Sequence, residues 1–94
     1  MSTDVGMPEP APGRIRDDIL TAQLQGEAVL LDLQTKRYYR LNATGARIWK
    51  GLQDLLQPHE IVDALVGEFA VDRTTAQAET ERTLDDLRAH GLIT

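Results

Sequence analysis

Cysteine is absent from this chain of 94 residues. That excludes a disulfide framework, a thiolate metal site and a cysteine nucleophile, and it suits a reducing compartment. Serine occurs only at Ser2, which excludes a serine-nucleophile hydrolase. Long apolar runs are missing too. The longest uncharged one, Ala28 to Leu31, is far too short to span a bilayer. Met1 to Gly13 has neither a basic n-region nor an apolar h-region, so it does not read as a secretory signal. Basic residues are outnumbered, 10 Lys and Arg against 15 Asp and Glu, for a net charge of −5. This weighs against nonspecific nucleic-acid binding. The length argues for one domain. Such a domain buries roughly two-thirds of its unfolded surface and has no room for a deep catalytic cavity. What remains is a small cytosolic binding or assembly module, not an enzyme.

The hydrophobic fraction, 41%, is enough to build a globule. Met1 to Arg16 reads as a flexible tail, because Met7 to Gly13 packs three prolines and a glycine into seven residues. The folded domain is expected over residues 17–94. Ile19 to Leu24 and Glu27 to Leu33 are predicted strands joined by a turn at Gln25-Gly26. The run Val29-Leu30-Leu31 suits a central strand covered on both faces. Arg37 to Leu41 is a third strand, rich in the residues strands favour. Alternation sends Arg37, Tyr39 and Leu41 to one face and Tyr38 and Arg40 to the other. The sheet is expected to be antiparallel, with the second strand central and the third at an open edge.

Three helices follow. Asn42 is the N-cap of the first, expected from Ala43 to about Leu56 with a stripe of Ile48, Trp49, Leu52, Leu55 and Leu56. Pro58 suits the first position of the second, whose stripe is Ile61, Val62, Leu65, Val66 and Phe69. Asp72 caps the third, Arg73 to His90, and Gly91 ends it in a left-handed conformation with Leu92 folding back. The inner face of that helix is Ala76, Thr80, Thr83, Leu84 and Leu87. Its small and hydroxylated residues fit either a groove beside the sheet or close helix packing.

No chemistry-bearing constellation is present. His59 and His90 lie far apart and read as surface residues, so no metal is expected. Asp85 and Asp86 point different ways on an exposed face and are no acid–base pair. Phosphate-binding and nucleophile-elbow motifs are absent, and no cofactor is expected. A winged helix-turn-helix that binds DNA suits the architecture but not the charges. The second helix has no Lys or Arg, and acids outnumber bases on the third. Positive charge concentrates at Lys36, Arg37 and Arg40, interleaved with Tyr38 and Tyr39. Such a patch suits stacking of single-stranded nucleic acid, protection of an edge strand, or reception of an extended peptide.

The segments Val29-Leu30-Leu31-Asp32, Lys36-Arg37-Tyr38-Tyr39-Arg40-Leu41-Asn42 and Thr44-Gly45-Ala46-Arg47-Ile48-Trp49 resemble the PqqD-like family. So does the end, Ala78-Glu79-Thr80 through Leu84, Leu87 and Gly91-Leu92-Ile93. The resemblance spans Glu27 to Ile93. It implies an α+β winged helix-turn-helix with a three-stranded antiparallel sheet followed by three helices. It also implies a non-catalytic recognition element for ribosomally synthesised, post-translationally modified peptides, most like the free-standing members of lasso-peptide biosynthesis. Such proteins add a precursor's leader peptide as a strand on the third strand, against the third helix. They hand it to a leader peptidase, a transglutaminase-like cysteine protease, and a cyclase closes the ring. Nucleic acid and membrane are not implied partners, and the setting is cytoplasmic. The alternatives are a peptide chaperone of the PQQ pathway and, further off, a winged-helix DNA-binding regulator. Carried over by position, the strand Arg37 to Leu41 supplies the backbone ladder, and Tyr38, Tyr39 and Arg40 shape or flank the pockets. On the third helix the face Glu79, Thr83 and Asp86 lies beside the inner stripe at i, i+4, i+7 and is the candidate groove wall. Tyr39 and Leu41 also read as core residues. Glu79 falls where the family often has Asp in an Ala-Asp-Val triplet, and Thr80 stands in for the Val.

Overall fold

A computed structural model describes residues 13–94. The elements are β1 (Ile19–Leu24), β2 (Glu27–Asp32), β3 (Arg37–Leu41), α1 (Ala43–Gln53), α2 (Pro58–Phe69) and α3 (Arg73–Ala89). The sheet is antiparallel in the order β1-β2-β3, with Leu31 facing Leu20 on one side and Tyr38 on the other. The β1–β2 connection is a two-residue turn in which both Gln25 and Gly26 have positive φ, as hairpin twist requires. Three helices follow the three strands, and the α+β winged-helix architecture expected from the sequence is the one observed.

The core lies between one face of the sheet and the helices. Leu30, Ile48, Trp49, Ile61, Leu65 and Leu92 are fully enclosed. Trp49 donates from Nε1 to Thr21 Oγ1 at 3.0 Å, so its one polar atom is satisfied where it is buried. Gly51 permits the α1–α2 approach: a Cβ there would sit 2.7 Å from Ile61 Cγ1.

Capping chemistry sets the helix limits. Asn42 Oδ1 accepts from Gly45 N at 2.9 Å. Asp72 Oδ1 accepts from Thr75 N at 2.8 Å, and its hydrogen bonds to Thr75 hold its carboxyl below the usual range. Glu60 Oε1 accepts from Gln57 N at 2.8 Å across Pro58, one half of a capping box. At the end of α3, Gly91 N donates to Arg88 O and Leu92 N to Leu87 O, the paired bonds of a Schellman ending.

Three expectations are corrected. β2 is covered on one face only: Ala28, Leu30 and Asp32 are buried, whereas Glu27, Val29 and Leu31 are only half-buried on the outward face. Three strands and three short helices make two layers, so nothing covers that face among the described residues. Helix α1 stops at Gln53, not Leu56. Leu55 takes a positive φ and is 77% exposed, because Leu55 N turns back to Leu52 O and Leu56 N to Gly51 O. Of the expected tail, residues 1–12 lie outside the described residues, but residues 14–16 are tied into the domain. Ile15 bridges Ile93, Thr94 N donates to Arg14 O, and Arg16 N donates to Leu92 O.

Arg16 also carries the main buried ion pair. Its Nη1 and Nη2 fork onto Asp32 Oδ2 and Oδ1, both at 3.0 Å. Asp32 is fully buried and also accepts from the amides of Gln34 and Thr35, which closes the β2–β3 turn. The Arg16 hydrogen bonds hold the Asp32 carboxyl down at about 2 against burial, which opposes them. They hold the Arg16 guanidinium firmly protonated.

Candidate functional site

The sheet leaves β3 as an edge, and the register fixes which of its backbone groups are unpaired. Leu33 N donates to Asp18 O at 3.0 Å. In an antiparallel ladder this makes Leu20–Leu31 and Ala22–Val29 hydrogen-bonded pairs. The N–H and C=O of Ala28, Leu30 and Asp32 then point the other way, toward Leu41, Tyr39 and Arg37. Tyr38 and Arg40 are left with both backbone groups aimed at the free edge. An extended chain laid antiparallel against β3 meets four strand-compatible donors and acceptors at these two residues.

Beside that edge runs a groove. β3 and α3 do not pack backbone against backbone. Side chains tie them at one end, where the rings of Tyr39 and His90 meet edge-on at 5.2 Å. His90 is held for this contact by Nδ1, which lies 2.8 Å from Asp86 O. The carbonyl can only accept, so Nδ1 donates. At the other end a depression of about 210 Å³ is lined by Arg40, Leu41, Asn42, Gly45, Glu79 and Thr83, with Arg82, Asp86 and Leu87. Glu79 is oriented there by Arg82, 2.5 Å away.

The eight residues singled out from the sequence therefore fall into two sets. Tyr39, Leu41, Glu79, Thr83 and Asp86 are brought to the groove. Arg37, Tyr38 and Arg40 are exposed, with Arg40 also at the rim of the depression. Tyr38, 72% exposed, stands on the outward face, and the Arg40 guanidinium is paired there with Glu27 at 3.0 Å. For Tyr38 and Arg40 it is the backbone that addresses the edge, not the side chain. The choice left open for the inner face of α3 resolves residue by residue. Thr80, at 1% exposure, and Ala76 are packed in the core, and Thr83 borders the groove.

Asn42, Gly45, Arg82 and His90 were missed. Arg82 was within reach, since its i,i+3 spacing from Glu79 predicts a pair. From the sequence Asn42 reads only as a cap. Gly45 lines the depression, and a Cβ there would meet Asn42 Oδ1 at 3.3 Å and Leu41 Cβ at 3.4 Å. No sequence signal announces His90, whose partner Tyr39 is contributed by a distant strand. No group of three or more His, Asp or Glu placed to hold a metal occurs among the described residues. No helix among them is long and apolar enough to cross a membrane.

Comparison with known proteins places this geometry in context. Residues 27–93 match the family model for coenzyme PQQ synthesis protein D, PqqD. No curated protein matches the chain. Two solved structures are similar. One is TbiB1 in complex with the TbiA(beta) leader peptide, at 40% identity, TM-score 0.79, covering 85% of this chain and 93% of that one. The other is a lasso peptide synthetase B1 complexed with the leader peptide, at 32% identity, TM-score 0.80, covering 89% of this chain and 99% of that one.

Proposed function

The chain belongs to the PqqD family, and from that premise we propose that it is a non-catalytic recognition element that binds the leader peptide of a lasso-peptide precursor. The observation that carries the proposal is the pair of outward-facing backbone positions, Tyr38 and Arg40, beside a groove walled by α3. Both similar structures are described as complexes with leader peptides, which supports the same reading.

In this reading the leader docks antiparallel on β3 as a fourth strand. Its backbone bonds to Tyr38 and Arg40, and alternate side chains turn inward beside Tyr39, Leu41, Glu79, Thr83 and Asp86. Strand pairing supplies affinity with little sequence demand, and the groove supplies selection. Ordering a flexible leader offsets much of the gain. A net affinity from micromolar to tens of nanomolar, roughly −8 to −10 kcal/mol, is expected. The bound precursor is then delivered in the cytosol to a leader peptidase of the transglutaminase-like cysteine-protease type, with a cyclase acting afterwards. The matched family description favours one second reading, a peptide chaperone of PQQ synthesis. Genes beside this one distinguish the two: a short precursor with peptidase and cyclase, or a radical-SAM enzyme.

The test uses fluorescence anisotropy with a labelled leader of the precursor encoded beside the gene. Tyr38→Pro deletes a donor that faces the open edge and leaves the β2–β3 ladder intact. It is expected to weaken binding about tenfold, the worth of one such hydrogen bond, with an unchanged circular dichroism spectrum. Tyr39→Pro deletes a donor inside the sheet and is expected to destabilise the fold itself. Wild-type affinity in Tyr38→Pro would rule out strand addition.

A further inference from the structure

The Arg16 guanidinium is one rigid plane that touches the ends of three elements. It forks onto Asp32 at the end of β2, and its Nη1 donates to Gly91 O, just past the end of α3, at 2.8 Å. Its Nη2 lies 2.9 Å from Asp18 Oδ1, just before β1. Backbone bonds from Arg14 and Arg16 to the segment 92–94 hold the arm that presents it. The Gly91 carbonyl is at the negative end of the α3 dipole, which favours a cation there.

These ties converge on one end of the groove. Asp32 is the register partner of Arg37, where β3 begins. Gly91 follows His90, the residue of α3's end that meets Tyr39. The clamp therefore stands one step from each wall. Between it and the depression at Leu41 the two walls are joined by side chains alone.

We propose that Arg16, which touches nothing in the groove, is a positioning residue: it sets the separation of β3 and the C-terminal end of α3, and with it the affinity for the leader segment crossing the Arg37 end. The inference rests on the leader-binding reading above. A lysine keeps the charge beside Asp32 but is a point donor without a fork. It does not hold both Asp32 oxygens and the Gly91 carbonyl in one plane.

The test compares wild type with Arg16→Lys, which spares the fold the uncompensated buried Asp32 that a neutral residue would leave. Val62→Ala, in α2 away from the groove, serves as a destabilised control. Each is titrated, at a temperature where all are folded, with the labelled leader and with a version shortened at the end that lies by Arg37. In antiparallel docking this is the C-terminal end of the docked segment. The expected result is a loss of about tenfold for the full leader in Arg16→Lys, little change for the shortened one, and little change for either in Val62→Ala. Nuclear Overhauser contacts between the Tyr39 and His90 rings are expected to weaken in Arg16→Lys without any peptide present. Equal losses for both peptides, or wild-type affinity together with intact ring contacts, would overturn the positioning role. A wild type that binds no leader fails the functional reading itself, and the ring contacts then still report whether Arg16 sets the groove.

Discussion

Asp32 owes its ionisation to Arg16, and that dependence makes stability sensitive to acid. Its carboxyl sits at about 2 in the folded chain against 3.8 for the unperturbed group. A depressed acid contributes its full stabilisation above the unfolded value and loses it as pH falls through the folded one. Urea midpoints measured from pH 7 downward are therefore expected to drop between about pH 4 and pH 2. Asp32→Asn should flatten that limb, and an equally steep limb in the variant would assign the loss to other carboxyls. Thr80 is a second informative residue. Its Oγ1 is buried and has no hydrogen-bond partner. Thr80→Val removes an unsatisfied hydroxyl at nearly constant shape and is expected to raise stability by about 1 kcal/mol, read by thermal or urea unfolding. Its leader affinity should not change, because Thr80 lies in the core and not in the groove. The sequence carried the departure from the family's Val but not its consequence. Whether a helix-face threonine is wet or dry depends on what another element lays over it.

At the scale of elements, caps and turns were legible because they are local. Asn42, Pro58, Asp72 and Gly91 mark helix ends by chemistry that acts within a few residues. The Gln25-Gly26 turn and the three strands follow from the same short-range signals. The overrun of α1 to Leu56 has the converse cause. Leu55 continues the apolar spacing, yet the chain reverses before it, and only the backbone bonds of Leu55 and Leu56 to the last turn reveal that. Helix α2 ends similarly without an announcing glycine. Ala70 takes φ 54°, a left-handed conformation that costs a residue with a Cβ roughly 1 kcal/mol. It is exposed, so Ala70→Gly loses no packing. That substitution is expected to raise the unfolding midpoint by an amount equivalent to ~0.5–1 kcal/mol. A lower midpoint would mean that the Ala70 methyl does more than its exposure allows.

For the whole molecule, charge is arranged by element. Bases gather at Lys36, Arg37 and Arg40 on the open edge, while acids dominate α3 across the groove. An acidic leader approaching the edge gains from the bases there, and salt weakens that attraction over a Debye length of about 10 Å at 0.1 M. Leader affinity is expected to fall severalfold between low and physiological salt. Arg40→Glu should weaken binding and flatten that dependence with the fold intact, since the Arg40–Glu27 pair is solvent-exposed and holds little stability. Unchanged affinity in anisotropy titrations would remove the Arg40 side chain from the site and leave only its backbone groups there. The sequence by itself determined the order of elements, the caps, the core stripes and the clustering of both tyrosines with the bases, because each depends on residues near one another in the chain. Only the tertiary structure decided that Tyr38 and Arg40 turn their backbone to the free edge, that His90 closes on Tyr39, and that Arg16 joins Asp32 to Gly91. The last two are pairings across 16 to 75 residues, and no local pattern encodes which distant partner the packed core will bring within reach.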